Sequence, residues 1–169
     1  MNIFKLDCPS NFAESLEAIS LRVTLNMNKE LLAKFKAAEI WKALKQMHPT
    51  KAPGPNGMSP LFFHQYWDVV GSYVISCVLE VLNLGVLPCK LNETYICLIP
   101  MVASPQKITE FRPISLCNVV YKTISKVLVN RLKKILREVI DEAQSTFVPG
   151  RSITDNVLVA FEMMHYIDQ

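Results

Sequence analysis

The sequence lacks the features of membrane-inserted, exported and disordered chains. No apolar run approaches the ~20 residues that a membrane-spanning helix needs, and a composition with 50% hydrophobic and 20% charged residues is too apolar for a disordered tail. The N-terminus has neither the basic start and apolar core of a secretory signal nor an Arg-rich composition. With 169 residues and no internal repeat, the chain is predicted to form one globular domain with its own core.

Paired cysteines are also missing. The cysteines are odd in number, stand mostly among apolar residues and include no pair at metal-site spacing. They are Cys8, Cys77, Cys89, Cys97 and Cys117. The sequence therefore predicts buried free thiols and an intracellular, reducing compartment.

Acidic residues are absent from one long stretch, Phe111 to Arg137. The net charge of the whole chain is only +3, but the basic residues concentrate in this stretch. They are Arg112, Lys122, Lys126, Arg131, Lys133, Lys134 and Arg137. Such a stripe either follows a phosphate backbone or is an ordinary solvated helix face, and the residue pattern alone favours neither.

Apolar residues at helical spacing predict most of the fold. Helices are predicted over 37–47, 60–70, 72–84, 119–140 and 152–167, with a weaker amphipathic helix over 13–23. Ser59 followed by Pro60 marks a helix start. Gly71 is predicted to interrupt a helix and Gly85 to end one. Ser152, with an acid three residues later, resembles a capping box.

Two extended segments and one loop complete the prediction. Residues 94–99 form a β-branched and aromatic run, predicted to be a buried strand. Residues 111–115 are predicted to be a second strand, with Pro113 at an edge or bulge. The prolines and glycines of residues 51–57 exclude helix and strand and predict a shaped loop. The predicted fold class is α/β of the α-rich, α+β kind, with a small sheet.

Arg131 interrupts the apolar face of the helix predicted over 119–140. At ~100° per residue it falls inside the apolar arc, where an unpaired cation is costly. A snorkelling side chain, or a salt bridge to an acid such as Glu138 or Glu162, explains this position better than a ligand does.

Three motifs follow one another in a specific order. The first is KAPGPNG at 51–57, which continues through LFF at 61–63 to YW at 66–67. The second combines LNET at 91–94, ICLIP at 96–100, FRPISLCN at 111–118, YK at 121–122 and NRL at 130–132. The third is QSTFVPGR at 144–151, followed by ITDN at 153–156. Together they resemble the reverse transcriptases of non-LTR retrotransposons of the LINE type, particularly those of plants, from about Val23 onward.

The resemblance implies a partial right-hand polymerase fold, with the fingers subdomain, its small sheet and the start of the palm. Residues 37–169 are then a partial reverse transcriptase domain, behind a weakly helical N-terminal extension of residues 1–36. Since the family is an RNA-directed DNA polymerase, the resemblance implies an RNA template, a DNA primer, deoxynucleotides and Mg²⁺ as partners and cofactor. It implies no membrane, and the nucleus is a compartment compatible with the family.

Site residues follow from the resemblance rather than from spacing. It assigns a nucleotide phosphate contact to Arg112, where sequence chemistry alone favours a surface arginine that steadies the turn before Pro113. Nucleic-acid binding is predicted for five further basic residues: Lys51, Lys122, Lys126, Arg131 and Arg151.

Two departures from the family pattern affect these expectations. Met101 stands where the family usually has a phosphate-binding lysine, and Asn56 where its loop usually has aspartate. The family's metal-binding carboxylates are expected beyond Gln169, so the chain is predicted to hold no catalytic or metal-binding residue and to be inactive alone. The alternatives are a noncatalytic nucleic-acid-binding module and a degenerate retroelement relic.

Overall fold

The computed structural model describes residues 22–141, 144, 148 and 150–167. They belong to two compact units. The larger unit comprises Leu32–Lys134, and the second unit combines the chain up to Leu31 with the chain from Ile135. Almost all of the helix predicted over 13–23 lies outside the described residues, as do Cys8 and the side chain of Asp155.

Helices dominate both units. In chain order the elements are α1 (Leu25–Leu31), α2 (Ala37–Lys45), α3 (Pro60–Gln65), α4 (Trp67–Leu84), α5 (Cys89–Asn92), β1 (Thr94–Pro100), β2 (Phe111–Cys117), α6 (Val119–Leu132), α7 (Leu136–Val139) and α8 (Ile153–Ile167). A single 3-10 turn, Ile108–Glu110, precedes β2. This helix-rich arrangement with a small sheet confirms the predicted fold class.

The core of the larger unit lies between α2, α3, α4 and α6. Its residues recur at helical spacing, so each helix turns one apolar stripe inward. The most deeply buried side chains are Ile40, Leu44, Val78, Val119 and Val127. This packing fixes α6, the helix that carries much of the predicted basic stripe.

Short-range signals predicted two helix boundaries correctly. Ser59 has an extended backbone directly before Pro60, the first residue of α3. Gly85 follows α4 at a φ of 71°, and its N–H donates to the carbonyl of Val81 at 2.9 Å. A positive φ is readily adopted by glycine because it has no Cβ. Both signals act within a few residues, which is why sequence alone reveals them.

The interruption predicted at Gly71 is wrong. Helix α4 continues through this residue, and the break lies instead at Tyr66, between α3 and α4. A Cβ at Gly71 would lie 2.8 Å from Cε2 of Trp67. The glycine leaves room for the Trp67 indole, which stacks on Trp41 with ring centroids 4.5 Å apart. The glycine thus serves packing rather than helix termination.

The single helix predicted over 119–140 is also wrong. Helix α6 ends at Leu132 and α7 begins at Leu136, and the residues between them form a turn. The apolar pattern runs on across this turn without glycine or proline, so periodicity could not reveal it. The boundary between the two compact units falls at the same place, between Lys134 and Ile135.

The two strands form an antiparallel hairpin. Thr94 pairs with Cys117 at one end, and Pro100 pairs with Phe111 at the other. Both predicted strands are confirmed, and Pro113 lies on an edge because a two-stranded sheet has only edge strands. The predicted burial of the first strand is wrong, since every residue of β1 is exposed.

The cysteines of the described residues are free thiols, as predicted. Their predicted burial is wrong. Cys89 and Cys97 are exposed, whereas Cys77 and Cys117 are partly buried.

Among the described residues, one helix is long and apolar enough to cross a membrane by length and composition. This is α4, with a mean hydropathy of 1.4 over 18 residues. The sequence analysis predicted no such helix, because polar residues interrupt the apolar residues of α4. Gly71, Val74, Val78 and Val81 of this helix are buried, and a core helix meets the same two criteria.

Candidate nucleic-acid interface

A cavity of about 410 Å³ lies in the larger unit, where loop 51–57 meets β2 and α6. We call it the lysine cavity. Its lining residues are Gln46, Met47, Lys51, Ser115, Cys117, Tyr121, Lys122, Ser125, Lys126 and Val129. Three of the residues predicted to bind nucleic acid are among them, and no carboxylate is. The cavity therefore combines positive charge with hydroxyl donors.

The shape of loop 51–57 depends on close backbone packing. Gly57 donates its N–H to the carbonyl of Gly54 at 3.0 Å, which closes a tight turn. Gly54 is buried, and a Cβ there would lie 2.4 Å from the backbone nitrogen of Asn118. No larger residue fits without moving one of the two backbones. The loop is thus pressed against the junction between β2 and α6.

Helix α6 presents two lysines to the cavity one helical turn apart, Lys122 and Lys126. The Nζ of Lys122 donates to the carbonyl of Ala52 at 2.8 Å, which ties the ammonium group to the loop. Partial burial lowers the pKa of Lys122 below its usual range, and the Lys51 ammonium lowers it further, while Cys117 acts in the opposite direction. Cations held this close favour an anionic ligand, which would offset their repulsion.

Arg131 does not line the lysine cavity and makes structural contacts instead, so its assignment to nucleic-acid binding stays a prediction. It is 8% exposed. Its Nε donates to Oε1 of Glu39 at 2.8 Å and its Nη2 to Oε2 at 2.9 Å. Further guanidinium donors reach the carbonyls of Ala33 and Lys34, and the group lies 3.6 Å from the Phe35 ring centroid. The guanidinium therefore joins α6 to the segment before α2.

The need for a partner at Arg131 was predicted correctly, but Glu39 was not among the acids suggested. The two residues are 92 positions apart, so no local pattern connects them. Hydrogen bonding from Arg131 lowers the pKa of Glu39, while burial opposes this effect. The carboxylate also accepts the backbone N–H of Lys36 at 2.8 Å. Glu39 is therefore held by both a helix start and a salt bridge.

Arg151 belongs to the second unit, where it contacts backbone carbonyl groups. Its guanidinium donates to four backbone carbonyl groups, those of Arg137, Ile140, Asp141 and Gln144. Such contacts satisfy carbonyls that a helix end leaves without partners. The geometry favours a structural role at the end of α7 over template binding.

Arg112 lies elsewhere again, exposed on β2 and paired in register with Ile99 of β1. Met101, the departure from the family pattern, follows β1, and its backbone N–H donates to the carbonyl of Glu110 at 2.8 Å. A thioether offers no charge-assisted hydrogen bond to phosphate. The nucleotide-binding role of Arg112 stays a prediction.

Two comparisons with known proteins decide the family. Residues 104–169 match the family model described as reverse transcriptase (RNA-dependent DNA polymerase). The chain carries part of a reverse transcriptase domain. The match includes β2 and α6, and with them Arg112, Lys122 and Lys126.

A transposon protein supports the same conclusion. This chain is 35% identical over 128 residues to the "Transposon TX1 uncharacterized 149 kDa protein" of Xenopus laevis. The alignment covers 76% of this chain and 10% of the relative, so the chain spans about a tenth of the length of the relative it matches. The predicted reverse transcriptase and retrotransposon origin are confirmed, and the match favours them over the two alternatives.

Reverse transcriptases work with divalent metal ions held by carboxylates. In the described ranges, no group of three or more His, Cys, Asp or Glu side chains could hold a metal ion. The described residues do not fit a metal pair.

Two residues of the interface escaped sequence reasoning. Asn118 is 4% exposed, and its side chain contacts the loop at Asn56. Gly54 was recognised only as part of a Gly/Pro loop, although its close approach to Asn118 shapes the cavity. The one available signal was an asparagine directly before a predicted helix, which indicates an N-cap and nothing more.

Proposed function

We propose that the lysine cavity binds the phosphate backbone of the RNA template in a LINE-type reverse transcriptase of the plant kind. One observation carries this proposal. Lys51 comes from a loop, Lys122 and Lys126 come from a helix about 70 positions away, and the fold brings all three to one cavity. A solvated helix face would not need a distant loop to add a further cation.

The composition of the cavity suits a phosphodiester. Lysine is a compact charge that binds phosphate without a fixed orientation, and the hydroxyls of Ser115, Tyr121 and Ser125 add donors. The apolar side chains of Met47 and Val129 complete the lining. Contacts of this kind fix the position of a strand without reading its sequence.

The remaining partners of the family belong to the same proposal. A DNA primer would lie along the copied template, and a deoxynucleotide would meet Arg112 on the hairpin. We expect Mg²⁺ to be held by carboxylates outside the described residues, and we propose the nucleus as the compartment.

Titration of a labelled single-stranded RNA at several salt concentrations tests the cavity. Each phosphate contact contributes roughly 0.7 to the negative slope of log affinity against log salt. We therefore expect Lys51→Ala, Lys122→Ala and Lys126→Ala each to reduce the slope by about 0.7. Lys107→Ala is the matched control, since Lys107 is exposed and does not line the cavity. A slope unchanged by all three cavity variants would contradict the proposal.

Primer extension tests the limit of this activity. With Mg²⁺, an RNA template, a DNA primer and deoxynucleotides, the purified chain is expected to yield no extended product, because two metal ions must be clamped by carboxylates. An active reverse transcriptase in the same buffer is the control. Reproducible extension, sensitive to removal of Mg²⁺ by chelation, would show that the chain itself catalyses the transfer.

A further inference from the structure

We infer that Asn118 is a positioning residue that holds Lys51 in the lysine cavity. This inference rests on the proposed function of that cavity. Asn118 itself does not line the cavity, so it acts on the ligand through the loop rather than by contact.

The side chain of Asn118 does not cap its own helix, although the residue occupies the N-cap position. The residue is the N-cap of α6, with φ of −60° and ψ of 148°, yet it makes no side-chain cap hydrogen bond. Asparagine is among the best N-cap residues, since its oxygen normally accepts a free N–H of the first helical turn. A buried asparagine that leaves its own helix uncapped is used elsewhere.

Both polar atoms of this side chain reach distant segments. Its Oδ1 accepts the backbone N–H of Asn56 at 3.2 Å, and its Nδ2 donates to the carbonyl of Lys90 at 3.3 Å. These partners lie 62 and 28 positions away. One amide thus joins the loop, α5 and the start of α6.

The contact with Asn56 is one of the attachments that hold the loop carrying Lys51. At its start the loop is held by a hydrogen bond from the Lys51 N–H to the carbonyl of His48 at 3.1 Å. At its turn it is held by Asn118, beside the tight approach of Gly54. Next to Lys51 it is also held by the Lys122 ammonium, which donates to the carbonyl of Ala52 at 2.8 Å. With the attachment at Asn118 removed, the loop would hold Lys51 less firmly, and ordering the loop again would oppose ligand binding.

A double-mutant cycle measures whether Asn118 acts through Lys51. We expect Asn118→Ala and Lys51→Ala each to weaken RNA binding about fivefold, and the double variant to bind about as weakly as either single one. Lys126→Ala is the reference, because Lys126 lies on α6 and not on the loop. Its effect should multiply with that of Asn118→Ala, to about 25-fold.

Two other substitutions separate positioning from a general loss of structure. Asn118→Ser supplies an ordinary N-cap to α6, but its side chain is too short to reach Asn56, so Lys51→Ala should have no further effect in this background. Asn118→Asp keeps the acceptor for the Asn56 N–H but loses the donor to the Lys90 carbonyl. Its stability should therefore fall, while Lys51→Ala should still weaken RNA binding in this background. Circular dichroism checks that each variant is folded.

The outcomes distinguish the two proposals. If Lys51→Ala leaves RNA binding unchanged in the original chain, the proposed role of Lys51 in the cavity fails and this inference with it. If Lys51→Ala weakens binding but its effect multiplies with those of Asn118→Ala and Asn118→Ser, the cavity stands and the positioning role of Asn118 is overturned.

Discussion

Replacing Arg131 with Met is expected to lower the free energy of unfolding by about 3 kcal/mol. The substitution removes a buried guanidinium, so the carbonyls of Ala33 and Lys34 lose the hydrogen bonds it donates and the Glu39 carboxylate keeps the N–H of Lys36 but loses its cationic partner. Breaking a buried pair from one side is costly because the remaining charge stays desolvated. The side chain of Glu39 is 34% exposed, so water partly solvates the carboxylate left behind. We therefore expect a loss of stability at the lower end of the roughly 3–5 kcal/mol typical of a broken buried ion pair.

Urea denaturation followed by circular dichroism measures this difference. Lys133→Met is the matched control, since it removes a positive charge and introduces the same side chain at an exposed position two residues away. We expect its effect to stay within about 0.5 kcal/mol. Equal stability of the two variants would show that the contacts of Arg131 are not stabilising.

The same salt bridge predicts a pH dependence. Arg131 lowers the pKa of Glu39 below its usual value near 4.5. A carboxylate with a lowered pKa contributes stability that is fully present above its unfolded value and is lost as the pH falls through its folded value. The gap in stability between the original chain and Arg131→Met should therefore be largest above about pH 4.5 and narrow below it.

Sequence reasoning succeeded where the controlling interactions are local. The start of α3 at Pro60 and the end of α4 at Gly85 each depend on the backbone chemistry of one or two residues. The strand predicted over 94–99 followed from its β-branched and aromatic composition, and the strand predicted over 111–115 from the extended backbone favoured before Pro113. The observed strands are each one or two residues longer. The resemblance to reverse transcriptases likewise rests on contiguous motifs, which the matched residues 104–169 confirm in part.

Sequence reasoning failed where contacts between distant segments determine the role of a residue. Gly71 looks like a helix breaker until the Trp67 ring is seen to occupy the space of its missing side chain. The place of Arg131 in an apolar arc indicated a partner, but its identity required the fold. The same holds for Asn118, whose apparent capping role conceals contacts to two other segments.

The lysine cavity was predictable from the sequence only in part. Charge patterning identified Lys122 and Lys126, and the resemblance pointed to Lys51, but neither showed that the three share a cavity. Spacing along the helix also could not separate these lysines from Arg131, which is buried and forms a salt bridge with Glu39. What distinguishes the binding candidates is their access to a cavity without carboxylates.

Replacing Gly54 with Ala is expected to disturb both stability and RNA binding. The new Cβ would lie 2.4 Å from the nitrogen of Asn118 and 2.5 Å from the carbonyl carbon of Cys117. Both are backbone atoms that no rotamer change can move, so the loop must shift away from the start of α6. Overpacking of this kind costs about 3 kcal/mol, and the shift carries Lys51 away from Lys122.

Gly57→Ala separates this steric effect from the general cost of losing a glycine in the loop. Gly57 has a φ of 71° but no atom within 4 Å of a built Cβ, so alanine there meets only backbone strain, about 1 kcal/mol. In urea denaturation, Gly54→Ala should have a clearly lower free energy of unfolding than Gly57→Ala. In RNA titration, only Gly54→Ala should reduce the slope of log affinity against log salt relative to the original chain. If the two variants match in both measurements, the close approach at Gly54 does not shape the cavity, since strain without collision would then account for the whole effect.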